Sequence, residues 1–232
     1  MSDMAGDGDI PAELITLKYP LPNLAAALLG KESVRIVAMG SSSTAGRDQG
    51  DVVPYPSRLE LHLRRKYNNP HIDVVNRGVG RQEANEELLR FDADIFAERP
   101  SLVIWQVGTN AVFHDYNLDG VAAKIAEGLA LLRKYPIDVV MMDPQYVTAM
   151  LLDAKADASD RIVSIIAAAA EKEKVSVFRR WALMRHWHVH NNISFQQMLE
   201  PADDRLLHQS DWSTQRISIA LSEAISKAPA AV

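Results

Sequence analysis

Strands alternating with helices along nearly the whole chain predict an α/β protein, a three-layer α/β/α sandwich on a five-stranded parallel sheet. Three observations carry this. Short, β-branched apolar runs recur at 34–39, 72–76, 101–107, 137–142 and 175–178. The stretches between them repeat their apolar residues every three to four positions, the helical period. No Ser, Gly or Pro tract divides the 232 residues, 47% of them hydrophobic, so one core is the default.

In chain order, residues 1–23 read as a mobile N-terminal arm, with order beginning at the apolar run 24–29 and a single domain spanning 24–232. The first strand, Val34-Arg-Ile-Val-Ala-Met, stops at Gly40 and three serines. Pro54-Tyr-Pro-Ser57 then opens a helix in which Leu59 and Leu63 share a face and Glu60 pairs with Arg64. It ends before Asn68-Asn69-Pro70, and a short strand follows. A helix over 83–98 places Leu88, Phe91 and Ile95 on one side and closes at Pro100. The third strand runs into Gly108-Thr-Asn110. Val121, Ile125, Leu129 and Leu132 mark a helix over 118–134, and another is expected over 158–172. The last helix starts after Asp211, an apt N-cap, and buries Ile217, Leu221 and Ile225. Right-handed crossovers make a flavodoxin-like arrangement the economical topology.

Composition narrows the function. A net charge of −5 argues against a nucleic-acid surface. The clusters Arg64-Arg65-Lys66 and Arg179-Arg180 read as solvated helix faces. Without cysteine there are no disulfides, no thiolate chemistry and no Cys-based zinc site. The acidic N-terminus lacks a basic and then apolar export signal, so a cytoplasmic location is expected, or a periplasmic or secreted one if a signal was removed. The longest apolar run, 162–170, falls far short of the roughly 20 residues a membrane helix needs.

Reactive groups of open α/β sheets collect beyond the carboxyl ends of the strands, which is where Ser41-Ser42-Ser43-Thr44 lies. Two rival motifs fail by counting. A P-loop needs four residues between its glycines, followed by Lys and Ser or Thr, whereas five separate Gly40 from Gly46 and Arg47-Asp48 follows. The nucleophile elbow needs Gly on both sides of its serine, and Ser42 has Gly40 before it but Thr44 after it.

The segment 40–46 is similar to the first block of the SGNH (GDSL-type) hydrolases, Gly-Asp-Ser-x-Thr-x-Gly, with Ser41 replacing Asp. Asn76-Arg-Gly-Val-Gly-Arg81 resembles the second block, Gly108-Thr-Asn110 the third, and Asp203-Asp-Arg-Leu-Leu-His208 the fifth. Four blocks in order, from about residue 34 to 221, imply an esterase with Ser42 as nucleophile and His208 as its base. The resemblance further implies an oxyanion hole from the Ser42 and block-II backbone N–H groups and the Asn110 amide, with no metal or organic cofactor. Its substrates would be small-molecule or glycan esters, acetylated sugars and lysophospholipids among them.

Two departures stand out. The position of the family's oxyanion glycine is Arg81, where a positive φ costs about 1–2 kcal/mol, so Gly80 or Gly78 is an alternative donor. Three before His208 stands Arg205, so the orienting carboxylate is expected to be Asp204, with Asp203 the alternative. These departures motivate a second reading, a binding protein or weakened enzyme on the same fold. An acyltransferase on the same three residues is a third. Singly, Ser42, Asn110 and His208 are ordinary turn or surface residues, and only together do they specify acyl-transfer chemistry.

Asp143-Pro-Gln-Tyr146 ends the fourth strand at the same mouth, as pocket lining or as a plain turn. Gln145, Tyr146, Phe113 and Trp187 are the candidate substrate contacts, with core packing the alternative for the aromatics. His186-Trp-His-Val-His190 would point alternate histidines one way in a strand, yet no carboxylate stands at ligand spacing, so a solvated or site-rimming loop is expected.

Overall fold

The computed structural model describes residues 8–30, 33–46 and 52–228. Its sheet has five parallel strands: β1 (Val34–Gly40), β2 (Ile72–Gly78), β3 (Leu102–Gln106), β4 (Asp138–Met142) and β5 (Ser176–Phe178). Their order is β2-β1-β3-β4-β5. The chain winds outward from β1 to β2, then returns across β1 to β3, which puts the topological switch at the carboxyl ends of β1 and β3. Continuous apolar runs explain why β3 and β4 are buried throughout, whereas edge strand β2 is half exposed.

Helices cover the sheet in two groups. Tyr55–Tyr67 packs with Asp211–Ser226, and Leu118–Leu132 packs with Ala84–Leu88 and Asp153–Glu173. Between the second group and the sheet lies Trp105 of β3, fully buried, with Phe91 edge-on at 5.2 Å. The register sets the site: Gly40 of β1 pairs with Gly78 of β2, so the two strands end level. A Cβ on Gly78 would lie 2.1 Å from the Ala45 nitrogen, so only glycine lets β2 approach the turn that follows β1 so closely.

The structure corrects several local expectations. From residue 8 the arm is packed rather than mobile: Ile15, Leu17 and Leu21 are buried, and the Asp9 carbonyl accepts from the Trp187 indole N–H. Residues 1–7 of that arm lie outside the described residues. The single helix expected over 83–98 is three short pieces, Ala84–Leu88, Phe91–Asp94 and a 3₁₀ turn Phe96–Glu98. Arg90 sits at the break, with its guanidinium bonded to Gln82 and Asp94. Ser210, not Asp211, caps the last helix, its hydroxyl accepting from the Ser213 N–H. Residues 186–190 end the helix Arg180–His190 rather than a strand or loop. Arg180, read as solvated, is fully buried, its Nε donating to the Asp143 carbonyl at 3.1 Å.

Candidate active site

The turn after β1 is the short helix Ser42–Ala45. Three hydroxyls of this turn converge on one oxygen: Ser41, Ser43 and Thr44 reach Oε1 of Gln106 at 3.0, 2.9 and 3.3 Å. The Ser41 N–H also donates to it, at 3.1 Å. A carboxylate at position 41 would face that oxygen as acceptor against acceptor, so Ser41 and Gln106 fit one another where the resembling family has Asp. Asn76 ties the turn to β2, its Nδ2 donating to the Thr44 carbonyl at 2.9 Å and its Oδ1 accepting from the Gly78 N–H.

Ser42 is left out of this web and faces His208. Its Oγ lies 3.0 Å from His208 Nε2, and His208 Nδ1 lies 2.7 Å from Asp203 Oδ2. The carboxylate in contact with His208 is therefore Asp203, the alternative, and not the first expectation, Asp204, which is exposed. The reason is the turn. The Leu206 N–H donates to the Asp203 carbonyl at 2.9 Å, and Leu206 takes a left-handed φ of 51°, which curls five residues into the reach of a shorter spacing. Asp203 Oδ2 also accepts from the Leu207 and His208 N–H groups at 3.0 and 2.8 Å. Burial pushes the Asp203 carboxyl up, but those two N–H groups and the imidazole more than reverse it and hold it well below the usual carboxylate range.

The opposite arm of the site is the short helix Thr109–Phe113 after β3. Asn110 is 3% exposed, and one amide proton of Nδ2 goes to the Gln82 carbonyl at 2.8 Å. Glu83, 2% exposed, brackets Asn110: its carboxylate accepts from the Gly108 N–H at 2.8 Å and the Ala111 N–H at 2.9 Å. Burial pushes Glu83 up against these donors, and Glu87 beside it goes well above the usual range, by burial and then by the Glu83 charge.

Between the arms, the Val79 N–H is taken by the Gly40 carbonyl, whereas those of Gly80 and Arg81 have no partner among the described residues. Arg81 has φ 69°, so the left-handed backbone foreseen for this position is present, carried by an arginine. An open cleft of about 610 Å³ joins these parts, lined among others by Ser42, Gly80, Arg81, Asn110, Phe113 and His208.

Of the four expected substrate contacts, Phe113 alone lines this cleft. Gln145 is buried and braces the His208 loop, its Nε2 donating to the Leu207 carbonyl at 3.0 Å and its Oε1 accepting from Thr109. Trp187 is fully buried against Trp212. Tyr146 packs among Trp181, His188 and Phe195. Asp143 serves the turn: it accepts from the Trp181 N–H at 2.8 Å, and burial pushes its carboxyl up to about 7. Among the described residues no group of His, Asp or Glu is arranged to hold a metal ion. Sequence reasoning missed Glu83, Gln106, His114 and Arg205. Only Glu83 left a signal, as the first member of the capping box Glu83-x-x-Glu86.

The sequence matches the non-GDSL lipase-like family over residues 7–230. Among solved structures, the fold is similar to that of a catalytic mutant of Axe2, an acetylxylan esterase from Geobacillus stearothermophilus. That alignment has a TM-score of 0.70 and 17% identity, covering 84% of this chain and 94% of the other. A G-D-S-L family protein from Desulfitobacterium hafniense DCB-2 aligns with a TM-score of 0.67 and 19% identity over 82% and 99%. These likenesses speak to the fold. A curated relative, the uncharacterized lipoprotein YqeF of Bacillus subtilis (strain 168), is 29% identical over 76 residues, 32% of this chain and 31% of that protein. Among the described residues no helix is long and apolar enough to cross a membrane.

Proposed function

This chain belongs to the non-GDSL lipase-like family, and from that premise we propose that it is a serine esterase that cleaves carboxylic esters through an acyl-enzyme at Ser42. The observation that carries the reading is the continuous chain from Ser42 Oγ through His208 to Asp203, at 3.0 and 2.7 Å, opening on the cleft. His208 Nε2 takes the hydroxyl proton as Ser42 attacks the ester carbonyl, and Asp203 holds the imidazole in the tautomer that leaves Nε2 free to accept. The negative charge that develops on the carbonyl oxygen meets the second Asn110 amide proton and the N–H groups of Gly80 and Arg81, which have no partner among the described residues, with the Ser42 N–H beside them. The proton passes from His208 to the leaving alcohol, and water repeats the sequence to release the acid.

Similarity to an acetylxylan esterase fold supports a short acyl group on a carbohydrate alcohol as the first substrate to try. The test is a fluorophosphonate probe with a p-nitrophenyl ester series from acetate to decanoate. Labelling and turnover are expected in the wild type and are lost by about a thousandfold or more in Ser42→Ala. An unlabelled wild type that turns over no ester would sink the reading. That result would favour a binding protein on this fold, which the arginine at φ 69° independently motivates.

A further inference from the structure

The Ser42 cleft carries charge that ester cleavage leaves unused. The chain has 30 acidic residues against 25 basic, yet the cleft is lined by Arg81, Arg205 and His114 and by no carboxylate among the described residues. Asp203 lies beneath it, occupied by His208 and two backbone N–H groups. Asp115 is bound by Lys155, and Asp204 is exposed on the loop beside Arg205.

Arg81 is the informative member. Its backbone is left-handed, a geometry that glycine adopts freely and that a side chain makes costly. Its guanidinium is exposed and tied to no hydrogen bond or ion pair among the described residues. A long cation at a glycine-favouring backbone position, in the cleft that Ser42 lines and without an internal partner among the described residues, is placed for something outside the chain. Arg205 comes from another loop of the same cleft. Its side chain is 47% exposed, and its Nε touches Asp203 Oδ1 at 3.3 Å, with Nη2 3.4 Å from His208 Nδ1.

Resting on the esterase reading, we propose that this site selects esters that also carry an oxyacid anion, a carboxylate or a phosphate, held by Arg81 and Arg205 while Ser42 takes the acyl group. Guanidinium forks match the paired oxygens of such anions. A cleft of about 610 Å³ has room for both the ester and the anion. The anion is bound and not transformed: the Ser42 Oγ–acyl bond forms as the carbonyl–alkoxy bond breaks, the alcohol leaves with the proton from His208, and water then releases the acid.

Three acetyl esters test this: 4-acetoxybenzoate, 4-acetoxyphenyl phosphate and neutral 4-acetoxybenzamide, each kcat/KM divided by that ester's rate with hydroxide. Turnover of the neutral ester reads the esterase proposal, and the ratio of anionic to neutral reads this one. The ratio is expected at about five to twentyfold for at least one anion, the size of one or two exposed ion pairs, and to fall with added salt. The favoured arm tells carboxylate from phosphate. Arg81→Gln and Arg205→Gln each lower the ratio, and because it is taken within one variant, a general loss of turnover cancels. A wild-type ratio near one for both anions, or a ratio that neither substitution moves, overturns the proposal. If no ester turns over, binding of the same three compounds to Ser42→Ala, followed by calorimetry, reads the same preference: anionic binding no tighter than neutral refutes it.

Discussion

Two loops bring His208 and Asn110 to the cleft, and both are clamped by a carboxylate that is 2% exposed: Asp203 grips the His208 loop, Glu83 the Asn110 loop. Each accepts two backbone N–H groups from the loop it holds, Leu207 and His208 for one, Gly108 and Ala111 for the other. Their ionisation diverges nonetheless. Asp203 has an imidazole on the same oxygen and stays well below the ordinary range, whereas Glu83 has no cation on its oxygens among the described residues and is pushed up by burial. One device, backbone donors gathered on a buried carboxylate, thus serves two ends. At Asp203 it fixes a charge that can stabilise a forming imidazolium, and at Glu83 it fixes only the place of a neutral amide.

That contrast is broken most severely at Asp203. Asp203→Asn is expected to lower kcat by roughly 10³ to 10⁴, since an amide holds the wrong tautomer and carries no charge. Asp204→Asn should stay within about twofold, because that side chain is exposed and outside the His208 contact. Equal losses in the two variants, measured as kcat on p-nitrophenyl acetate, would refute the assignment of Asp203.

Glu83 acts at one remove, through the backbone on either side of Asn110, so its substitution should cost less. Glu83→Gln turns an NH₂ group toward N–H donors and is expected to reduce kcat by about ten to a hundredfold with KM little changed. In an Asn110→Ala background the same substitution should have almost no further effect on kcat. A full, additive loss there would assign Glu83 to folding rather than to positioning.

The pH response separates the clamps next. Asp203, depressed, contributes stability that is present above its unfolded value and lost as pH falls through its folded value. Glu83 and Glu87, raised, contribute stability that is present below their unfolded values and lost as pH rises through their folded ones. Acidification below about pH 4 should therefore loosen the His208 loop while the Asn110 loop stays closed. Hydrogen exchange, corrected for intrinsic rates, should show protection at Leu207 and His208 falling about tenfold per pH unit relative to Gly108 and Ala111. Parallel loss in both loops would contradict the assigned pKa directions.

The sheet was legible because each parallel strand carries a short, largely apolar run, and the meeting of Ser42, Asn110 and His208 at one cleft was legible from strand ends and motif order. Asp203 was not separable from Asp204 by counting, since the left-handed Leu206 changes how far a residue reaches without leaving a mark in the spacing. Trp187 and Tyr146 misled for a different reason. They lie on or against the helix Arg180–His190, whose buried face holds Arg180, Trp181, Leu183, Met184 and Trp187. That helix also covers the supposed arm, through Asp9, which helps to pack residues 8–23 against the body of the fold. Gln106 and Glu83 are single buried polar residues whose partners are backbone atoms or neighbouring hydroxyls, and no periodicity announces such a contact.

The smallest expected effect lies between the two clamps, at Arg81. Replacing it with glycine relieves a left-handed residue worth about 1–2 kcal/mol, while the freer unfolded chain takes back roughly 0.5–1 kcal/mol. Arg81→Gly should therefore be slightly more stable, by about 0.5 kcal/mol, read as the urea midpoint at unchanged slope. A destabilisation beyond about 1 kcal/mol would mean that the arginine side chain holds its loop, as Asp203 and Glu83 hold theirs. The observed exposure of Arg81 argues the reverse: it is the one residue of the three whose charge faces outward, so stability can rise while the preference for an anionic ester is lost.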